Sequence, residues 1–193
     1  MRKNIVLIGG GGHCKSCIDV IELTENYNIK GIIDVENKVG TKVLGYPIIG
    51  TDEDVFKLIE IIDEFIITIG QLGQPNRRQI LYEKMKKRGA KFGTIVSPLA
   101  YVSKNAFVEE GTIIMHGAII NADVKIGCNC IINSKALLEH EVTVGNHCHI
   151  STASVLNGGA TIGNGTFYGS GAVSIQNIKI ESNSFIKANS IVK

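Results

Sequence analysis

The sequence predicts an α/β N-terminal half, a Rossmann-like parallel sheet, followed by a C-terminal left-handed parallel β-helix of hexapeptide repeats. Two observations predict this. Short apolar runs alternate with amphipathic stretches before residue 97, and from Val102 to Val192 aliphatic residues fill fourteen of sixteen positions spaced six apart, with no slip in register. The 193 residues hold 22 Gly, 3 Pro and no Trp.

In chain order, residues 4–9 (NIVLIG) read as a buried strand that runs into the turn Gly9–Gly12. Cys14 to Thr24 reads as a helix with Ile18, Val20 and Ile21 on its apolar side. Gly31–Asp34 is a second strand, and Asp52–Ile62 a helix opened by Thr51 or Asp52. Glu64–Gly70 is a third strand, Asn76–Gly89 a basic helix, and Lys91–Val96 a last strand. A β-α-β-α-β-α-β order makes a small parallel sheet with helices on its faces. The boundary falls near Ser97-Pro98, dividing the chain into 1–97 and 98–193.

Beyond it, the leaders of the repeat run Val102, Val108, Ile114, Ile120 and so on, with Tyr168 and Ser174 as the non-aliphatic members. Four places after a leader a small or β-branched residue recurs, as in Ala106, Thr112, Ala118 and Cys130. A period of six does not fit a helix but is the signature of a parallel β-helix. The small residue and the next leader lie two apart, so they share the inner face of a strand. Three hexads close one triangular coil, and residues 18 apart stack. The outward positions then form three columns. Phe107, Lys125, Thr143, Thr161 and Lys179 make a mostly polar face. Ile119, Leu137, Val155, Val173 and Ile191 make an aliphatic face. Ile113, Ile131, His149, Phe167 and Phe185 make an apolar face with one His. An apolar patch outside a closed coil marks an interface, so self-association through the aliphatic column is expected, and a closed trimer would bury two faces.

Bulk properties exclude several classes. A net charge of +2 gives no basic patch for nucleic acid or a membrane surface. No apolar run is long enough for a span. The short run Ile5–Ile8 flows into a Gly turn and reads as a strand, not a leader peptide. Five irregularly spaced Cys do not form a secreted disulfide framework, and a cytoplasmic location is expected.

Candidate chemistry centres on His140, at a corner of the coil, stacked between Ala122 and Gly158. The tiny neighbours leave an opening beside an imidazole, whose ordinary pKa of about 6.5 suits proton removal near neutrality. Glu141 or Glu139 could fix its tautomer, and backbone N–H groups around Asn157-Gly158-Gly159 could hold an oxyanion. The plain alternative is a solvated histidine. The loop Gly9–His13 opens a helix and could cradle a phosphate, with Asp34 placed to meet a ribose or base. It lacks the third Gly of a dinucleotide fingerprint, since Cys14 stands there. Cys14-x-x-Cys17 reads as a chance pairing without a thioredoxin-like context. Cys128, Cys130, His147, Cys148 and His149 cluster by register, but Cys130 and Cys148 occupy inward positions, so packing is preferred to a metal site.

These residues resemble a known family. Ile8-Gly-Gly-Gly-Gly-His13, Ile33-Asp34, Ile69-Gly70, Asn133-Ser-Lys-Ala-Leu-Leu-Glu-His-Glu141, His147-Cys-His149 and Asn157-Gly-Gly159 resemble the bacterial sugar acetyltransferases: sialic acid O-acetyltransferases and N-acetyltransferases of UDP-linked 4-amino sugars. The resemblance implies a homotrimer with active sites between subunits, acetyl-CoA along the β-helix as co-substrate, no metal, and a nucleotide-sugar or sugar substrate on the N-terminal domain. It implies His140 as general base, Glu141 as its orienting partner and the Gly158 backbone as oxyanion donor. Asn133 and His149 would lie near the acetyl group, with Ser170 and Ala188 on the CoA arm. Gly11, His13, Asp34, Gly70 and Arg78 would hold the sugar nucleotide. Three departures stand out: a longer loop Gln71–Pro75, breaks in the repeat at Ser174 and Glu181, and an end at Lys193 before the family's short tail. The expected reaction is direct N-acetylation of a nucleotide-activated amino sugar. The rival readings are O- or N-acetylation of a sialic-acid-like sugar, and a non-catalytic β-helix binding protein.

Overall fold

The computed structural model describes residues 2–73 and 76–193. Two compact units emerge: residues 1–70 with 77–93, and residues 71–76 with 94–193.

The first unit is built on strand β1 (Lys3–Ile8), whose Ile5, Val6, Leu7 and Ile8 are all buried. Helix α1 (Gly12–Thr24) buries Cys14, Cys17, Ile18, Val20 and Ile21 and leads to β2 (Tyr27–Ile33). Strands β3 (Lys42–Val43) and β4 (Tyr46–Gly50) follow, then β5 (Glu64–Ile67) and helix α2 (Asn76–Lys87). The sheet order is β3-β4-β2-β1-β5, parallel throughout except for the β3–β4 hairpin. Connections diverge on either side of β1, so its C-terminal end is the switch point at which open α/β sheets bind ligands.

Three sequence expectations are corrected here. Asp52–Ile62 is not a long helix but a 3-10 helix, Asp54–Leu58, with turns around it. Asp54 Oδ2 accepts from the Thr51 N–H and hydroxyl, so the carboxylate closes a tight turn instead of Thr51 capping an α-helix. Strand β4 went unread because Pro47 and the glycines around it disguise a short strand beside an edge. The Leu44-Gly45 pair, both at positive φ (46° and 89°), makes the two-residue turn that pins the β3–β4 hairpin. Lys91–Val96 is not one strand either. Phe92 bridges Phe65 in the sheet, whereas Ile95–Val96 (β6) pairs with Ile113–Ile114, where the coil begins.

The second unit is a left-handed parallel β-helix of two-residue strands in three sheets. The register is the predicted one of 18: Ile119 opposes Leu137, Lys125 opposes Thr143, and Ile131 opposes His149. Leaders and small residues from Ile114 to Ala172 form one buried core. Two-residue strands make few bonds each, so stability rests on that core, at about 1.5–3 kcal/mol for each fully buried aliphatic side chain. Each corner is closed by a left-handed residue three places after a leader, from Gly111 through Asp123, Asn129 and Glu141 to Asn189. The aliphatic column is open to solvent at Ile119, Val173 and Ile191, and the His column is buried at Ile113, Ile131, His149 and Phe167.

Candidate active site

The repeat places His140 on the corner between the aliphatic and polar faces. Its side chain is 62% exposed, and Nδ1–H donates to Glu141 Oε2 at 3.0 Å. That bond fixes the tautomer and leaves the Nε2 lone pair outward. Of the two acids considered for this role, Glu139 is engaged elsewhere, accepting from Asn121 Nδ2 at 3.0 Å. Glu141 itself holds the left-handed corner position at φ 63°, a conformation that Gly and Asn adopt more cheaply. The same conformation closes every corner from Gly111 to Asn189, so at Glu141 it belongs to the coil.

The ring lies directly over Gly158. A Cβ built there would stand 2.7 Å from both Cε1 and Nε2, so no side chain fits beneath the imidazole. Among the described residues nothing accepts the Gly158 N–H, although Gly159 N–H bonds the His140 carbonyl and Asn177 N–H bonds that of Gly158. One unclaimed backbone donor thus adjoins one unclaimed imidazole nitrogen. The first can carry negative charge on an oxygen, and the second can take a proton.

The other coil candidates lie apart from this corner. His149 is on the face opposite it and is buried. Its Nδ1–H donates to the Gln71 carbonyl at 2.8 Å, and Nε2 accepts from Asn133 Nδ2 at 3.2 Å. The Asn133 orientation is set because Oδ1 accepts the Ser134 N–H. Ser170 and Ala188 stack on the next corner, where Ser170 shares a 2.8 Å hydroxyl contact with Ser151. Within one chain, the aliphatic face separates His140 and Gly158 from Asn133, Ser170 and Ala188.

In the first unit, Gly11, His13, Asp34 and Gly70 gather where β1, β2 and β5 end. Gly11 is the N-cap of α1 with no side-chain cap, and space opens around Gly11 and Gly12. A Cβ on Gly70 would meet the His13 Cβ at 3.5 Å. Asp34 Oδ2 accepts the Gly10 N–H at 3.0 Å and the Lys38 ammonium at 2.9 Å, while Oδ1 accepts the Val35 N–H. Burial pushes this carboxyl upward, but Lys38 and the two N–H groups outweigh it and hold it below the ordinary carboxylate value. Asp34 therefore shapes the glycine loop as well as bordering it. Beyond it lies a cleft of about 310 Å³ lined by Asp34, Glu36, Asp52, Glu53 and Arg77. Arg77 bonds Asp52 across its rim. The sequence reading missed this cleft, because its walls come from loops far apart in the chain. Its acidic lining suits the donors of a base or ribose, not a phosphate. Arg78 is buried in α2, close enough to Cys17 to pull its thiol down against the burial that raises it well above normal. Burial also lifts Cys14 to about 11, so neither thiol is a nucleophile. Gln74 and Pro75 of the long loop lie outside the described residues.

Among the described residues no cluster of three or more His, Cys, Asp or Glu could hold a metal ion, and no helix is long and apolar enough to cross a membrane. Cys130 and Cys148 are in the core, as expected from the repeat.

A six-residue coil carrying an exposed, oriented histidine on a corner places this chain in the class of hexapeptide-repeat acyltransferases. The family model described as the PglD N-terminal domain matches residues 4–85. The structure is similar to a His-to-Asn mutant of perosamine N-acetyltransferase from Caulobacter crescentus in complex with CoA and GDP-perosamine. The two share 32% identity over 98% of this chain and 88% of that one, with a TM-score of 0.91. It is also similar to the acetyltransferase domain of PglB from Neisseria gonorrhoeae with acetyl coenzyme A, at 24% identity, 100% and 93% coverage and a TM-score of 0.89. At that identity the likeness bears on the fold. Comparison with curated proteins returns no match. The chain belongs to the bacterial sugar acetyltransferases, the family of the perosamine enzyme.

Proposed function

We propose that this protein transfers the acetyl group of acetyl-CoA to the amino group of a nucleotide-activated amino sugar. One observation carries the reading: His140 presents an unclaimed Nε2 over Gly158, whose own N–H is unclaimed among the described residues, with Nδ1 held by Glu141. The amine nitrogen attacks the thioester carbonyl, and His140 Nε2 takes its proton. The oxygen of the tetrahedral intermediate rests on the Gly158 N–H. Collapse breaks the C–S bond, and the proton held by His140 passes to the departing CoA sulfur. Every step uses side chains and backbone of this chain with the two substrates. The first unit, residues 1–70 with 77–93, binds the nucleotide-sugar. Gly11, His13 and Gly70 border the diphosphate, Arg78 supports the loop from α2, and the acidic cleft beside Asp34 receives the nucleoside. The perosamine relative is found in complex with CoA and GDP-perosamine, which supports a reaction between these two classes of substrate.

Self-association completes the site. His140 and Gly158 lie at one edge of the aliphatic face, with Asn133, Ser170 and Ala188 at the other. Packing a second copy on that face sets its Asn133–Ser170 edge beside His140, giving a homotrimer with acetyl-CoA lying between protomers. Acetyl-CoA supply carries a cytoplasmic location with it, with no nucleic acid or membrane as partner.

The test is thiol release from acetyl-CoA against GDP- and UDP-linked amino sugars and free or CMP-linked nonulosonic acids. His140→Ala should lower kcat about 10²- to 10⁴-fold, the usual share of a general base. Activity on the nonulosonic acids alone would instead favour the sialic-acid-like reading, unchanged turnover in His140→Ala would remove His140 as the base, and no thiol release with any acceptor would leave the binding-protein reading. Val155→Asp puts a charge in the aliphatic column and should shift sedimentation from trimer to monomer; a mutant that sediments as wild type refutes the assigned face.

A further inference from the structure

The coil departs from its own rule at one place beside the candidate site. From Ser97 to Ile175, the N–H that follows each inward leader donates to the carbonyl of the leader one coil on: Glu139 to Leu156, Ser151 to Tyr168, Gly163 to Ile180. Asn157 is the exception. Its N–H donates to the Ser174 hydroxyl at 2.9 Å, and the Ser174 carbonyl accepts from Asn157 Nδ2 at 2.6 Å. Strand pairing shows the same break. Leu137–Leu138 pairs with Val155–Leu156 at both residues, and Val173–Ser174 with Ile191–Val192 at both, but between Val155–Leu156 and Val173–Ser174 only Val155 and Val173 pair.

Ser174 is 2% exposed and occupies an inward position that Leu156 and Leu138 fill one and two coils before it. A hydroxyl there gives up apolar packing and takes the place of one ladder carbonyl as acceptor. Tyr168, the other polar leader, adjoins it: burial pushes the phenol up to about 12 while Ser174 draws it back. The hydroxyl holds the N–H of the Leu156–Asn157 peptide, one link before the peptide that carries the Gly158 N–H. Beyond that link the corner keeps the coil's ordinary bonds, Ala160 N–H to the Asn157 carbonyl and Asn177 N–H to that of Gly158.

We propose that Ser174 is a positioning residue, whose hydroxyl fixes the Leu156–Asn157 link that leads into Gly158 and so sets where the Gly158 N–H, the oxyanion donor, lies relative to the His140 ring. This rests on the catalytic reading above. An aliphatic residue at 174 leaves the Asn157 N–H only the ordinary ladder carbonyl as acceptor and shifts the link that leads to Gly158.

The test compares Ser174→Val with Ser174→Thr in the full-length protein. Ser174→Val should melt at or above the wild-type temperature, yet lose kcat about 10- to 100-fold, the cost of a small misplacement of a reacting group. Both KM values and the pH midpoint of the rate should stay within about twofold of wild type, since binding groups and His140 are untouched. Ser174→Thr keeps the hydroxyl and should keep the rate. Wild-type kcat in Ser174→Val, or equal loss in Ser174→Thr, overturns the proposal. A second measurement does not need turnover: the Gly158 amide resonance should move in Ser174→Val and not in Ser174→Thr, and a resonance unmoved in both overturns it as well. A wild-type protein that releases no thiol with any acceptor would refute the catalytic reading itself, and with it the role given to Ser174, while the amide resonance still reports whether the hydroxyl directs the peptide.

Discussion

His140 and Asp34 both sit against a glycine, and they are held in opposite ways. The His140 side chain is 62% exposed, spends one nitrogen on Glu141 and keeps the other outward. Asp34 is almost buried, with its oxygens taken by two backbone N–H groups and Lys38. The first arrangement can move a proton; the second fixes a loop. The difference separates a group that reacts from a group that shapes, although both are polar residues at the end of a short strand.

Substitution at each glycine and acid breaks this contrast where it is strongest. Gly158→Ala has the largest expected effect. Its Cβ stands 2.7 Å from the His140 ring, so the imidazole swings away from the donor. Steady-state kinetics should show kcat falling about 10²- to 10³-fold, the scale of a lost oxyanion donor, with an unchanged melting temperature. Asp34→Asn should leave kcat alone and raise the nucleotide-sugar KM about tenfold, the cost of losing one charged hydrogen bond. Its stability effect depends on pH. Asp34 has a folded pKa below the ordinary 3.8, so its contribution is complete above that value and is lost as pH falls through the folded pKa. Melting curves of wild type and Asp34→Asn should therefore run apart at neutral pH and converge well below pH 3.8. The smallest effect concerns the scaffold. Ile150→Val trims a fully buried leader and should cost about 0.5–1.5 kcal/mol in urea unfolding. Ile191→Val, outside the coil, should stay within about 0.5 kcal/mol.

The two units differ in how far counting along the chain reaches. In the coil, one register predicts which residues face in, which stack, and that His140 meets Gly158, because geometry repeats every 18 residues. The left-handed corners were legible as well, in the Gly, Asn and Asp that recur three places after a leader, though that signal went unused. In the sheet, no local period exists. The residues 52–62 carry an apolar spacing fit for a helix, yet Asp54 closes a turn at Thr51 and the helix shrinks to Asp54–Leu58. Strand β4 exists because β2 and β3 bracket it, not because YPIIG announces a strand.

By itself the sequence determined the period, the inward and outward columns, the corner holding His140 and the glycine beneath it. A repeat writes tertiary neighbours into fixed sequence offsets. The tertiary structure alone decided that Glu141 and not Glu139 orients the ring, that Asp34 binds the loop it borders, and that Ser174 takes the bond a carbonyl holds elsewhere. Those choices turn on side-chain directions and hydrogen-bond competition between groups whose spacing in the chain leaves more than one partner within reach.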